Sequence, residues 1–79
     1  MAAITTRSDL LRQLQPAAGS AQRARSLVEG AADLLGIGSE ETLAMQDLLL
    51  ICEALAREGG AVQRTAEAIA ATALRSEAA

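Results

Sequence analysis

Residues 39–60 read SEETLAMQDLLLICEALAREGG, and this stretch decides the fold. A serine followed by Glu40 and Glu41 is typical of a helix start, because acidic side chains stabilise the positive end of the helix dipole. Gly59-Gly60 closes the stretch, and glycine is common just after a helix. The sequence therefore predicts a helix over residues 39–58, which the double glycine connects to the next helix in an antiparallel hairpin.

Three further helices are predicted on either side of this segment. Good helix formers fill the regions between the breakers at Pro16 to Ser20, Gly36 to Ser39 and the double glycine. Pro16 disfavours helical backbone at the residue before it, so we expect it to end the first helix. The chain is thus predicted to be an all-α, single-domain, small four-helix bundle, or three long helices and one short one. Its predicted parts are a flexible arm over 1–7 and helices over about 8–15, 20–35, 39–58 and 61–75.

The second of these helices has a regular amphipathic pattern. Its apolar residues follow the i, i+3, i+4, i+7 spacing of a helix with one buried side, and its other face is polar. The residues predicted to share the buried side are Ala24, Leu27, Val28, Ala31, Leu34 and Leu35.

The composition excludes most enzyme chemistry. The 79 residues include no His, no Lys and no aromatic side chain, and they include one Cys. Imidazole bases, Schiff-base amines and phosphate-loop lysines are therefore missing. Metal ligands would have to be carboxylates, and Glu40, Glu41 and Asp47 lack the spacing of a calcium loop. We expect no enzyme, no cofactor and no metal site.

Charge and hydropathy indicate the expected compartment. The net charge of −3 and the pI near 4.7 oppose binding to nucleic-acid phosphates. The longest apolar run, Leu48 to Cys52, is far shorter than the roughly 20 residues that span a bilayer. Arg7, Asp9 and Arg12 interrupt the region where a signal peptide would be apolar. We expect a cytoplasmic protein without membrane or nucleic-acid partners.

The helix predicted over 39–58 has apolar residues on two faces. Cys52 and most of the leucines share the main apolar arc, where the thiol is expected to be buried and unreactive. Leu43 and Leu50 lie instead on the polar arc, one above the other. Exposed apolar residues ringed by polar ones are typical of interfaces. The predicted partner-binding residues on this arc are Leu43, Gln46, Asp47, Leu50, Glu53 and Arg57.

Two interpretations of this second face remain open. In the first, the N-terminal arm or the first helix covers it through Ile4, Leu10 and Leu11. In the second, Leu43 and Leu50 contact a protein partner or another copy of the chain. A core without aromatic residues buries little surface, so an additional interface would stabilise so small a domain.

The C-terminal half contains, in order, Ala54-Leu55, Gly59-Gly60, Val62, Arg64, Ala66 and Ile69. In this order it resembles the DNA-binding hairpin of Fis-type helix-turn-helix proteins. That family continues with a Leu-Gly-Ile turn and a basic recognition helix. Here Ala70-Ala71-Thr72 follows, and Arg75 is the only basic residue beyond it. The resemblance implies an alternative function as a degenerate DNA-binding module.

Residues 33–48 contain Ser39 at the predicted start of a helix in a small, acidic, four-helix chain. In these respects the chain is similar to acyl carrier proteins, which carry phosphopantetheine on the serine of an Asp-Ser-Leu motif. Gly38 and Glu40 flank Ser39 here, where the family has Asp and Leu. The resemblance implies a second alternative, an acyl-carrier-like protein, whereas the residues themselves favour a helix N-cap at Ser39.

The function predicted from the sequence is therefore protein–protein binding by a small acidic helical protein that also self-associates. An adaptor, a cochaperone, a regulator, or a bacterial, phage-encoded or plasmid-encoded inhibitor would all fit this prediction. The expected contact mode is helix against helix, or a helix in a groove.

Overall fold

The computed structural model describes residues 6–38 and 40–78 of the chain. This part forms four α-helices and contains no β-strand, which confirms the predicted all-α bundle. The helices are α1 (Arg7–Ala18), α2 (Ala21–Leu35), α3 (Met45–Ala56) and α4 (Gly60–Ala78).

Each helix packs against two others, so that the four form a closed ring. α1 contacts α2 and α4, and α3 also contacts α2 and α4. Within the described ranges, no Cα atoms of the diagonal pairs α1 and α3, or α2 and α4, approach within 8 Å. The packing of α3 on α4 is consistent with the predicted antiparallel hairpin. Gly59 and Gly60 join them with φ angles of 77° and 58°, a left-handed backbone that favours glycine.

The core is made of aliphatic side chains from all four helices. Among the described residues no buried side chain is polar or charged, and none leaves a buried polar atom without a hydrogen bond. Alanines on α4 and α2 allow close approach of the helices, while leucine and isoleucine supply most of the buried volume. The largest fully buried side chains are Leu10, Leu14, Val28, Leu48, Ile51 and Leu55.

α1 differs from the helix predicted over 8–15 at both ends. It begins earlier, because the Thr6 hydroxyl caps it by accepting from the backbone N–H of Asp9 at 3.2 Å. It also continues through Pro16, although proline cannot donate to the preceding turn. Ala18 is buried, and we attribute the extra turn to this packing. Gly19 then ends the helix, so the prediction that Pro16 ends it was wrong.

α3 begins at Met45, six residues after the predicted start of the 39–58 helix, and ends at Ala56 with Arg57 as its C-cap. The preceding segment is held by α1 instead: the backbone N–H of Arg7 donates to the Glu41 carbonyl at 2.7 Å, and Thr6 pairs with Thr42. Ser39, the predicted N-cap, lies outside the described residues.

The remaining predicted boundaries lie near the observed ones. Ser20 caps α2 by accepting from the backbone N–H of Arg23 at 3.1 Å, and Gly36 follows its last residue. α4 extends from Gly60 to Ala78, beyond the predicted 61–75. Of the arm predicted over 1–7, residues 6 and 7 belong to the cap and first turn of α1, and residues 1–5 lie outside the described part.

Candidate protein-binding surface

An open, largely apolar groove lies between α2 and α3. Leu34, on the α2 side, is 78% exposed, more than Leu35, Leu50 or Leu74. The space beside Gly30 is open, since a Cβ atom at this position would contact nothing within 4 Å. The residues that line the groove are Ser26, Leu27, Gly30, Ala31 and Leu34 from α2, Ala54 and Leu55 from α3, and Glu58 from the turn after α3.

Helical spacing defines the two sides of the groove. On α2, Leu27, Gly30 and Leu34 follow Arg23 at i+4, i+7 and i+11, so these four residues share one face, which we call the α2 wall. On α3, Ala54 follows Asp47 at i+7 and Leu50 lies one turn before Ala54, while Glu58, in the turn after α3, lines the same side of the groove. We call Asp47, Leu50, Ala54 and Glu58 the α3 wall.

Leu50 is one of the exposed apolar side chains predicted from the sequence. Its side chain is 37% exposed, and it extends the α3 wall beyond the part that lines the groove. The other predicted partner-binding residues of α3 surround it. Gln46, Glu53 and Arg57 are exposed, and Asp47 is half-buried. The structure therefore places Gln46, Asp47, Leu50, Glu53 and Arg57 on one outward surface.

Leu43 does not belong to this surface. It precedes α3, and only 6% of it is exposed because it packs into the core. The prediction that Leu43 and Leu50 lie one above the other on a single helix face was wrong, since only Leu50 is in the helix. Leu43 is thus covered within the chain, whereas Leu50 remains exposed, and its contact with a partner stays a prediction.

Hydrogen bonds to the start of α1 hold the segment that contains Leu43. The Arg7 guanidinium donates from Nε to the Glu40 carbonyl at 3.1 Å and from Nη2 to the Gly38 carbonyl. In return, Glu41 Oε2 accepts from the backbone N–H of Ser8 at 3.1 Å. The Ser8 hydroxyl and then its N–H lower the pKa of Glu41, and the Arg7 charge lowers it further. These bonds tie the segment before α3 to the start of α1.

Leu34 is the residue that sequence reasoning missed. The apolar spacing of α2 placed it on the buried side with Val28, but Leu34 and Leu35 are both exposed. At 100° per residue, Leu34 lies about 120° around the helix from Val28 and close to Arg23 and Gly30. The angle between Leu34 and Val28 could therefore have shown that Leu34 lies off the buried side. The i, i+3, i+4 pattern grouped the two residues together instead.

Cys52 lies on the opposite, inner side of α3. It is 2% exposed, and burial raises the pKa of its thiol to about 11. A thiol in this state is protonated at neutral pH and is a poor nucleophile. In the residues that the structure describes, no three His, Cys, Asp or Glu side chains come together as a metal site. None of the described helices has the length and apolar content needed to cross a bilayer.

No protein-family model, curated protein or solved structure matches this chain.

The positions that carry the two resemblances have the following structure. α4 passes without interruption through residues 70–72, where Fis-type proteins turn into a recognition helix. Ser39, the position similar to the carrier serine, lies outside the described residues, and the nearest following helix starts at Met45.

Proposed function

We propose that this chain is a non-enzymatic binding module that accepts an apolar helix face of another protein chain in the groove between α2 and α3. The observation that carries the proposal is the exposed Leu34 beside a groove whose α3 wall includes the exposed Leu50. An apolar helix face fits a groove of this kind, since its side chains at i, i+3 and i+4 project into the space between two helices.

The exposed leucines supply a local driving force for binding. Full burial of one leucine side chain contributes roughly 1.5–3 kcal/mol, whereas association costs about 4–15 kcal/mol in lost freedom of motion. Leu34 and Leu50 would therefore form the centre of a larger contact that also covers Leu27, Ala31 and Ala54. The exposed polar residues Gln46, Glu53 and Arg57 would form the rim of that contact, as is usual at protein interfaces.

The residue inventory supports binding over catalysis. The chain has no His or Lys, its one thiol is buried, and none of the carboxylates whose burial the structure describes is buried. An adaptor, cochaperone, regulator or inhibitor needs a specific surface and no reactive group. The binding surface proposed here meets that requirement with two helices.

The proposal is tested by purification of tagged variants from cells that naturally produce the chain. Leu34→Glu and Leu50→Glu place charges in the groove, and Ala68→Glu places one on the exposed face of α4 as the matched control. We expect wild type and Ala68→Glu to retain the same co-purifying chain in equal amounts, and the two leucine variants to lose it. Equal retention by all four proteins would contradict binding at the groove.

A further inference from the structure

We infer that the chain seated in the groove is a second copy of this protein, which makes it a two-fold symmetric homodimer. The inference rests on the proposed function and specifies its partner. It follows from the distribution of charge on the two walls.

The two walls carry opposite charges. The α2 wall begins with Arg23, and its other members are uncharged. The α3 wall has Asp47 at one end and Glu58, in the turn after α3, at the other, with Leu50 and Ala54 between them. The rim residues Glu53 and Arg57 beside this wall carry opposite charges, so the α3 side keeps a net negative charge. Among the described residues no ion pair engages Arg23, Asp47 or Glu58, since the ion pair found there joins Arg12 to Asp9 on α1. These charges are therefore not satisfied by one another within the chain.

Two-fold symmetry brings these walls together. A two-fold axis that runs along the groove exchanges the sides of the two copies, so the α2 wall of one copy faces the α3 wall of the other. Arg23 of each copy then lies on the same side as the acidic residues of its partner, and every contact occurs twice. A two-fold axis across the groove would instead place α2 of one copy against α2 of the other, so that walls of like charge would face each other. The charges thus favour the first arrangement.

The apolar residues fit the same arrangement. Leu34 on the α2 wall of one copy faces Leu50 and Ala54 on the α3 wall of the other, so Leu34 and Leu50 both become covered without a third protein. A stable interface buries about 800 Å² per partner. The chain has 4859 Å² of accessible surface, so a contact across both walls needs only a minor share of it.

Sedimentation equilibrium of the purified full chain tests the inference. We expect wild type to have twice the chain mass of 8.1 kDa at micromolar to near-millimolar concentrations. Arg23→Glu alone and Glu58→Arg alone each place like charges opposite one another twice, and each should weaken the dimer roughly tenfold. An equimolar mixture of the two variants pairs opposite charges again, and it should recover the wild-type association. Arg64→Glu, on the exposed face of α4, is the matched charge-reversal control and should leave the dimer unchanged.

The results that would contradict the dimer differ from those that would contradict the proposed function. A wild-type mass of 8.1 kDa at every concentration overturns the dimer, and leucine-dependent co-purification would then still support a different partner in the groove. A dimer that neither charge variant weakens, or that the mixture does not restore, overturns the facing of the α2 and α3 walls. A dimer that also survives Leu34→Glu and Leu50→Glu contradicts the groove itself.

Discussion

Glu41 accepts a hydrogen bond from the backbone N–H of Ser8 at 3.1 Å, so an acidic side chain from the segment before α3 caps the start of α1. Free N–H groups and the positive dipole end make a helix N-terminus a good site for a carboxylate. Arg7 completes the contact through the Gly38 and Glu40 carbonyls. Because these bonds span more than thirty residues of sequence, they fix how α1 sits against the segment that buries Leu43.

The stability of the fold should depend on the ionisation of Glu41. Its pKa is lowered below 4.5 in the folded chain, so the charged carboxylate stabilises the fold above that pH. This stabilisation is lost as the pH falls through the lowered pKa of the folded state. In urea unfolding, wild type should therefore have a larger free energy of unfolding than Glu41→Gln at neutral pH. This difference should shrink below pH 4.5.

Glu40→Gln is the control for that measurement, because Glu40 contacts Arg7 through its backbone carbonyl. The difference in free energy of unfolding between Glu40→Gln and wild type should not show the pH dependence expected for Glu41→Gln. Identical pH dependence in the two variants would contradict the capping role of the Glu41 carboxylate.

Arg7→Lys should weaken the contact between α1 and the segment before α3. A lysine ammonium cannot reproduce the planar guanidinium that donates to two carbonyls, and the loss should be about 1 kcal/mol in the free energy of unfolding. Hydrogen exchange at the amide of Arg7, which bonds the Glu41 carbonyl at 2.7 Å, should become faster. Arg12→Lys is the matched control, since its ion pair with Asp9 is on the surface and contributes little. Equal effects of the two substitutions would contradict the account of Arg7.

Leu43 and Leu50 should respond differently to a charge. Leu43→Glu places a carboxylate in the core, which should cost more than the roughly 2–5 kcal/mol of a large-to-small core substitution and unfold so small a domain. The carboxylate introduced by Leu50→Glu lies in solvent, so this variant should keep the helicity and thermal midpoint of the wild-type monomer. Circular dichroism during heating measures both. Unfolding by Leu50→Glu in the monomer would show that this leucine is part of the core.

Cys52 should resist alkylation in the folded chain. Its thiol is 2% exposed and has a pKa of about 11, so iodoacetamide at pH 8 should label it only after urea unfolds the chain. A thiol introduced by Ala68→Cys on the exposed face of α4 should react at once and serves as the control. Mass spectrometry counts the adducts. Rapid labelling of Cys52 in the native chain would contradict its place in the core.

The parts of the fold that local signals determine could be predicted from the sequence. Ser20 and Gly36 bound α2 by capping chemistry within a few residues, and the observed helix begins and ends beside them. The four-helix class followed from helix-forming composition between breakers, and the exposed Leu50 followed from its angular position on α3.

Long-range contacts account for what could not be predicted. Glu40 and Glu41 looked like the start of their own helix, whereas their hydrogen bonds go to Arg7 and Ser8 of α1. Pro16 ends many helices, but the burial of Ala18 keeps α1 helical for another turn. Such effects depend on which helices become neighbours, and single-helix patterns do not contain that information. Of the candidate surface, the exposure of Leu50 on α3 was predicted from the sequence, and that of Leu34 on α2 was not.

Photo-crosslinking from inside the groove tests binding at this surface most directly. A benzophenone amino acid replaces Leu34 in one variant and Ala68, on the exposed face of α4, in another, and both are irradiated in cells that naturally produce the chain. The account predicts a discrete protein adduct from position 34, absent from position 68, with the crosslinked peptide of the other chain identified by mass spectrometry. Absence of any adduct from position 34, or the same adduct from both positions, would contradict it.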